Sequence, residues 1–314
     1  MNFQQLRYVR EAVRQGLNLT EAARTLHTSQ PGVSKQIREL ETELGVEIFV
    51  RHGKRIVAVT EPGKAVVDVI DHLLQEAENL KQVGREFKDR TSGTLTIATT
   101  HTQARYSLPK VVGEFKRRYP KVHLTIKQGS PPQLAEMVIA READIAIATE
   151  ALDGYPKLLA LPGYEWSHCV VVPAKHPLAK RERLSLDELA RQPIITYDPA
   201  FAGRSHIDEA FRAQGLAPDI VLSAVDSDVI KTYVELGLGI GIVAEMAVRD
   251  DGSNADLAVR PLGNLFGQNL ARVAFKRSAY LRTFVYNFAE LLSDRLDRNL
   301  IAKAMSGHGN DYEL

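Results

Sequence analysis

Between residues 18 and 44 the apolar positions recur at spacings of three and four. Leu19, Ala22, Ala23 and Leu26 share one helical face, and Val33, Ile37, Leu40 and Leu44 share another. The polar interval His27-Thr28-Ser29-Gln30 separates them, so the pattern predicts two short helices joined by a tight turn. Thr20 is the capping-type residue at the start of the first helix, and its paired alanines let a neighbouring helix approach closely. Pro31 suits the first turn of the second helix, where a missing N–H costs nothing, with Ser29 or Gln30 at the cap. After Gly45, two β-rich runs (46–50 and 56–60) flank the basic, glycine-containing stretch Arg51-His52-Gly53-Lys54-Arg55, a hairpin signal. From 62 to about 89 the chain reads as one helix. Val66, Val69, Ile70, Leu73, Leu74, Ala77, Leu80 and Val83 form a coiled-coil-like stripe along it. A lone helix must bury such a stripe, either against the same helix of a second subunit or on the chain's own core. Thr91-Ser92-Gly93 ends it and marks a linker.

Residues 94–292 alternate strand and helix patterns. Strands are predicted at 94–99, 122–127 and 144–148, with helices at 106–118 and 131–140. A second block starts near Trp166-Ser167-His168, with elements at 170–172, 186–190, 194–197, 206–213, 220–224, 229–236 and 240–243. A strand at 270–275 and a helix at 281–295 follow. Such alternation implies βα units on parallel-rich sheets. A chain that leaves one α/β lobe, builds another and returns encloses a cleft, where small ligands bind. The expected domains are 1–60, a linker helix at 61–92, and an α/β two-lobed unit at 93–314. In that unit the first lobe spans about 93–163 and 269–295, and the second about 164–268.

Composition narrows the class. The 314 residues are 44% hydrophobic and 25% charged, ordinary for a soluble globular chain of two or three domains. The formal net charge is +1, so any affinity for nucleic acid must come from a local patch. The single Cys169 permits no intramolecular disulfide, and its strand-like surroundings suit a buried small hydrophobe. Met1 leads into Gln4, Gln5, Arg7 and Arg10 with no leader-type apolar run, and no stretch approaches the roughly 18 apolar residues of a membrane span. The expected compartment is the cytoplasm, with no membrane partner. The last ten residues are polar and are expected to fray.

The polar face of the second short helix carries Gln30, Ser34, Lys35 and Arg38, and Thr28, Ser29 and Pro31 lead into it. These donors and acceptors suit base edges and phosphates, and a recognition helix presents its N-terminal residues to the major groove. The alternative is an αα-hairpin with a solvated polar face. Charge alone favours that, since residues 1–60 hold nine Lys/Arg against six Asp/Glu, a net of +3. The spacing of small, apolar and polar positions is more specific, and it favours DNA. Arg51, Lys54 and Arg55 are candidate phosphate or minor-groove contacts of a wing, with a solvated hairpin tip as the alternative for each.

In the two-lobed unit, Thr99-Thr100-His101-Thr102-Gln103, Gly129-Ser130-Pro131-Pro132 and Thr149-Glu150 follow the first three strands. All three loops fall at one end of a parallel sheet. Their hydroxyls, an amide and free helix N-terminal N–H groups favour a small anion bound by dipoles. Capping accounts for one hydroxyl per loop, but poorly for Thr100, Thr102 and Gln103 together. Gly237-Leu238-Gly239-Ile240-Gly241 imitates a dinucleotide loop, yet no strand precedes it, and it reads as the turn after a helix. The nine histidines show no metal-ligand spacing, and no Ser-His-Asp set or activated cysteine is present, so neither enzyme activity nor a metal or cofactor is expected.

Ala22-Ala23, Leu26, Ser29-Gln30-Pro31, Val33-Ser34, Gln36-Ile37, Leu40-Glu41, Leu44-Gly45, Phe49, Arg51, Thr60 and Gly63 resemble the N-terminal domain of LysR-type transcriptional regulators, without a gap. The resemblance implies a winged helix-turn-helix followed by an effector domain like the periplasmic binding proteins. It also implies promoter DNA and RNA polymerase as partners, and a homo-oligomer organised as a dimer of dimers. Ala98-Thr99-Thr100-His101-Thr102-Gln103-Ala104-Arg105-Tyr106 is similar to one branch, the CysB-type regulators of sulfur assimilation and cysteine biosynthesis. Supporting runs are Gln128-Gly129-Ser130-Pro131, Ala146 through Leu152, Gly203-Arg204-Ser205 and Asp226 through Val234. In that branch a sulfate-type anion sits between the lobes on the positions matching Thr100, Thr102, Gln103 and Thr149. A further threonine is expected where this chain has Ala202, which points to a different effector such as an acetylated serine, a sulfonate or adenosine phosphosulfate. A regulator of sulfonate or alternative sulfur use is the nearest alternative. A solute-binding protein would suit the cleft alone, but the helix-turn-helix and the absent leader oppose it.

Overall fold

The computed structural model describes residues 1–53, 55–201, 203–248 and 256–306. They form two compact units, Met1–Phe87 and Lys88–Leu314.

The N-terminal unit opens with a helix that the apolar pattern of 18–44 does not reach, α1 (Phe3–Arg14). Asn2 and Gln5 form a reciprocal capping box at its start, each side chain accepting from the other's backbone N–H. The next helix, α2 (Leu19–Thr25), is capped by Asn18 and not by Thr20. The Asn18 carboxamide oxygen accepts from both Thr20 N and Glu21 N, two of the orphan donors every helix start presents. Between α2 and α3 (Gln30–Leu44), His27 takes a left-handed φ of 51°, which turns the chain so that Thr28 N donates to Ala23 O. Ser29 is the N-cap of α3, accepting from Gly32 N at 3.3 Å. Val33, Ile37 and Leu40 are fully buried against α1 and α2. Leu44 is 39% exposed instead, because the last turn of a helix has neighbours on one side only.

The hairpin pairs β1 (Phe49–His52) with β2 (Arg55–Val59) in antiparallel register. The linker helix α4 (Glu61–Lys88) then divides its stripe. Ile70 and Leu74 join the core of this unit, whereas Val69, Leu73 and Leu80 are exposed, Leu80 to 73%. The chain's own core thus takes one edge of the stripe and leaves the other exposed.

The second unit contains two five-stranded sheets. The first lobe holds β3 (Gly93–Thr99), α5 (Leu108–Arg118), β4 (Val122–Gln128), α6 (Pro131–Ile139), β5 (Ile145–Ala148) and β6 (Leu158–Trp166). A five-residue π-type turn, Gln103–Ser107, precedes α5 where a continuous helix is expected. The second lobe holds β7 (His168–Pro173), α7 (Leu186–Ala190), β8 (Pro193–Tyr197), α8 (Arg204–Ala213), β9 (Asp219–Ala224), α9 (Ser227–Glu235), β10 (Ile240–Ala244) and β11 (Leu257–Pro261). The chain returns through β12 (Asn269–Lys276) to α10 (Thr283–Leu292), within the expected helix 281–295, and α11 (Arg298–Met305) follows it unforeseen.

The sheets are mixed. β4, β3, β5 and β6 run in one direction and β12, between β5 and β6, is antiparallel to them, while β9, β8, β10 and β11 run in one direction and β7, between β10 and β11, is antiparallel to them. Strand β6 escapes the sequence pattern because Pro162-Gly163 interrupts it as a turn would. A Cβ on Gly163 would lie 2.9 Å from Ala271 O, so the glycine admits the backbone of β12. Fully buried Phe115, Phe275, Phe284 and Phe288 anchor the first lobe, and Ile194, Ile207, Phe211 and Ile242 the second. Among the described residues no helix is long and apolar enough to cross a membrane.

Candidate nucleic-acid face and ligand cleft

On α3 the expected reading face is solvent-accessible. Thr28, Ser29, Pro31, Lys35 and Arg38 are exposed, and Gln30 and Ser34 are half-buried at the leading end. Lys35 makes only a loose 3.8 Å pair with Glu39 on the surface, a contact that a phosphate would readily displace. In the hairpin Arg55 is exposed, and Lys54 lies outside the described residues. Arg51 is occupied by the protein itself. Its guanidinium pairs with Glu41 at 2.6 Å, and the other Glu41 oxygen accepts from Ile48 N and Phe49 N at 3.0 and 3.1 Å. One carboxylate therefore fixes the hairpin onto α3. Leu40-Glu41 and Arg51 stand in the sequence pattern, but their pairing across ten residues was not foreseen.

The parallel strands of each lobe end at the cleft. Buried Thr99 donates to Ile147 O across the first sheet, and buried Thr196 donates to Ile242 O at the equivalent place in the second. Beyond those anchors a narrow recess, open to solvent, is lined by Thr100, Thr102, Gln103, Trp166, Tyr197, Phe201, Val225 and Ala244. The three loop residues predicted after β3 thus come together. Ser130 and Thr149 do not line this recess. Ser130 caps α6, its hydroxyl and N–H both donating to Gln133 Oε1. Thr149 is buried at the end of β5. Ala202 lies outside the described residues. The second-lobe wall (Tyr197, Phe201, Val225 and Ala244) was missed, because its members stand at the ends of two strands and in two separate loops with no shared motif.

The donors in the cleft are held for use. Gln103 is 2% exposed, and its Oε1 accepts from the hydroxyls of Ser107 and Tyr164. With the oxygen so engaged, the Nε2 donor is the free end of the amide. Thr100 is 4% exposed, and its hydroxyl has no protein partner among the described residues. The Tyr197 hydroxyl is a hub: Ala244 N donates to it at 2.8 Å, Ser227 Oγ lies at 2.6 Å, and Thr102 bonds to it from the opposite lobe. Burial pushes Tyr197 up to about 12, so it stays a neutral donor. Among the described residues no lysine, arginine or carboxylate lines the recess. An anion here would be held by neutral dipoles, and half of its surroundings would be apolar. Cys169 on β7 is fully buried, and burial raises its thiol to about 12, so it is inert as expected.

Where the lobes join, Trp166 Nε1, His168 Nε2 and Asn269 Oδ1 are buried without partners. Burial, aided by His206, pushes His168 down to about 3 from an ordinary 6.5. The folded protein thus keeps His168 neutral while the unfolded chain takes up a proton below pH 6.5, so stability falls as the pH drops from 6.5 towards 3. Between pH 7 and 5 this group is expected to cost about 2 kcal/mol. Urea unfolding followed by Trp166 fluorescence checks it: the loss should shrink in His168→Gln, and an equal loss in both proteins would refute the assignment.

Comparison with known proteins bears on both faces. Residues 3–64 match the bacterial regulatory helix-turn-helix protein, lysR family, and residues 88–297 match the LysR substrate binding domain. The chain is 58% identical to the HTH-type transcriptional regulator CysB of Burkholderia cenocepacia over 314 residues, all of both chains. It is 56% identical to the HTH-type transcriptional regulator SsuR of the same organism over 302 residues, 96% of this chain and 98% of that protein. The solved cofactor-binding domain of the Cbl transcriptional regulator superposes with a TM-score of 0.66 at 46% identity, over 68% of this chain and 94% of that one.

Proposed function

The chain belongs to the LysR family of DNA-binding transcriptional regulators, and on that premise we propose that it controls genes of sulfur assimilation or cysteine biosynthesis in response to a small sulfur-containing anion. Recognition of promoter DNA falls to Gln30, Ser34, Lys35 and Arg38 on α3, with Thr28, Ser29 and Pro31 setting the helix start and Arg55 on the wing. Two copies joined along the bare edge of α4 would place two such helices on successive half-sites, since Val69, Leu73 and Leu80 have no apolar cover in one chain. A dimer of dimers in the cytoplasm, touching RNA polymerase at the promoter, completes the arrangement.

The observation that carries the effector assignment is the convergence of Thr100, Thr102 and the Gln103 amide on one cleft whose described lining holds no charged residue. A second reading, control by a sulfonate or another organic sulfur source, draws support from the apolar wall of Trp166, Phe201, Val225 and Ala244. That wall suits an anion with an organic substituent better than bare sulfate.

The test is a thermal-shift and gel-shift panel of sulfate, thiosulfate, O-acetylserine, N-acetylserine, adenosine phosphosulfate and short alkanesulfonates. The DNA comes from upstream of sulfur genes. At least one compound is expected to raise the melting temperature and alter the shifted band, and Thr100→Ala to bind it roughly tenfold or more weakly, the worth of one hydrogen bond to a charged group. No DNA binding at moderate salt would overturn the regulator assignment. If no compound produces a shift, or Thr100→Ala responds unchanged, the anion site is wrong.

A further inference from the structure

The π-type turn that carries Gln103 does more than line the cleft. Its next residues reach across to the other lobe. Arg105 Nε lies 2.7 Å from Asp228 Oδ2, and Tyr106 Oη donates to Asp228 Oδ1 at 2.5 Å. Lys231 Nζ, one turn along α9, lies 3.2 Å from Asp228 Oδ1 and donates to Tyr106 Oη at 3.1 Å and to Ala247 O at 2.9 Å. Ser107, whose hydroxyl donates to Gln103 Oε1, lies 3.1 Å from Met246 Sδ of the second lobe. Thus the segment that presents the ligand donors also holds the crossing contacts, and Asp228 is where two of them meet.

The winding of the turn makes this possible. A π-type turn places residues five apart in hydrogen-bonding register, so it rotates successive side chains differently from an α-helix. Gln103 stays in the cleft, and Arg105 and Tyr106 turn towards α9. His101, whose Nδ1 is buried without a partner, lies in a cluster with Asp226 and Asp228, all their ligand atoms within 4.8 Å of one another. That spacing would admit a cation, but Asp226 already accepts from Val229 N as the cap of α9 and Asp228 already faces Arg105 and Lys231. The charges balance without a metal ion, and the cluster works as an inter-lobe clasp.

We propose that Asp228 is a positioning residue for effector binding. By clasping Arg105 and Tyr106 it fixes the donor loop Thr100–Gln103 against the second lobe, so that lobe separation and ligand affinity change together. The proposal rests on the cleft being the effector site. Burial opposes the charge of Asp228, but hydrogen bonds from Tyr106 and Lys231 and the charges of Lys231 and Arg105 outweigh it and hold the carboxyl below its ordinary range. The clasp therefore carries its charge at neutral pH. Arg105 is half-exposed while Lys231 is largely covered, so the Arg105 arm is the salt-sensitive one.

The experiment uses the full chain. Hydrogen exchange is measured at residues 103–108 and 227–232 in wild type, Asp228→Asn, Asp228→Glu, Arg105→Ala, and the Arg105→Ala/Asp228→Asn double variant. Whichever compound of the panel above binds wild type most tightly is titrated into each. Asp228→Asn is expected to speed exchange in both segments and to weaken the compound about tenfold, within the range of typical coupling between sites. Asp228→Glu should restore part of both. The double variant should lose less than the sum of the single variants, which isolates the cross-lobe contact from any effect on α9 alone. The Arg105 contribution should fade at high salt. Unchanged exchange and affinity in a folded Asp228→Asn protein, or strict additivity in the double variant, would overturn the clasp. If no compound binds wild type, the effector assignment fails while exchange still decides the clasp, and Thr100→Ala, which should leave exchange at 227–232 unaltered, separates the two failures.

Discussion

Glu41→Ala is expected to destabilise the N-terminal unit by about 3 kcal/mol or more and to abolish DNA binding. The Glu41 carboxylate is the common acceptor for Ile48 N, Phe49 N and Arg51. Its removal leaves two amides at the base of the hairpin without acceptors and a guanidinium only 19% exposed without its counter-charge. Leaving a buried donor unpaired costs about 1–3 kcal/mol, and stripping one partner from a buried ion pair about 3–5 kcal/mol, reduced here because Arg51 keeps some water. Glu41→Gln retains an oxygen for the amides and loses only the charge, so its cost should be about 1 kcal/mol. Trp166, the only tryptophan, lies in the second unit, so its fluorescence should report an unchanged effector domain while far-ultraviolet circular dichroism reports early loss of helix. A Glu41→Ala protein that melts with wild type and shifts DNA normally would show that the hairpin holds to α3 by other means.

Gly203→Ala should cost about 3 kcal/mol and blunt every effector response. Gly203 has a φ of +81°, where a Cβ costs about 1 kcal/mol on its own. The added Cβ would also lie 2.4 Å from His168 Nε2 and 2.9 Å from Trp166 Cη2. Neither ring can step aside easily. His168 is buried beside Asn269 and packs edge-on against Trp166 and Phe266, with ring centroids at 5.0 and 5.9 Å. Overpacking of this kind adds about 1–3 kcal/mol. Because Trp166 lines the cleft, displacing it changes the cavity wall, and the loss should appear in the urea midpoint and in the thermal shift of the bound compound together. A Gly203→Ala protein with native stability and an undiminished thermal shift would mean that both rings yield without cost.

The legibility of this chain follows the range of its interactions. The helix-turn-helix could be read because α2, α3 and their turn are specified by residues within a few positions of each other. Even there a local competitor won once: Asn18 offers an acceptor to two orphan amides, and Thr20 sits two residues too late to cap them. The capping box of Asn2 and Gln5 marks the start of α1, a helix that apolar periodicity alone does not reveal. Strand β6 was hidden because a Pro-Gly pair serves as a turn in most contexts, and only the approach of β12 makes it a strand.

In the cleft the same rule separates what was foreseen from what was not. Thr100, Thr102 and Gln103 stand in one loop, and their donors exceed the needs of capping. Ser130 shows the opposite case, a hydroxyl whose capping role is its visible role. By itself, then, the amino-acid sequence determined the class of the protein, most of its elements in order, the loop that carries Thr100, Thr102 and Gln103, and the apolar stripe on α4. Those properties reside in short segments, where backbone geometry and side-chain chemistry act on near neighbours. Only the tertiary structure decided that Glu41 and not water receives Arg51, that Trp166, Phe201, Val225 and Ala244 close the cleft with an apolar wall, and that Asp228 meets Arg105 and Tyr106 across it. Those contacts join residues about ten to 120 positions apart, and no local spacing encodes them. They exist because two sheets bring their strand ends to one cleft and one helix receives one hairpin.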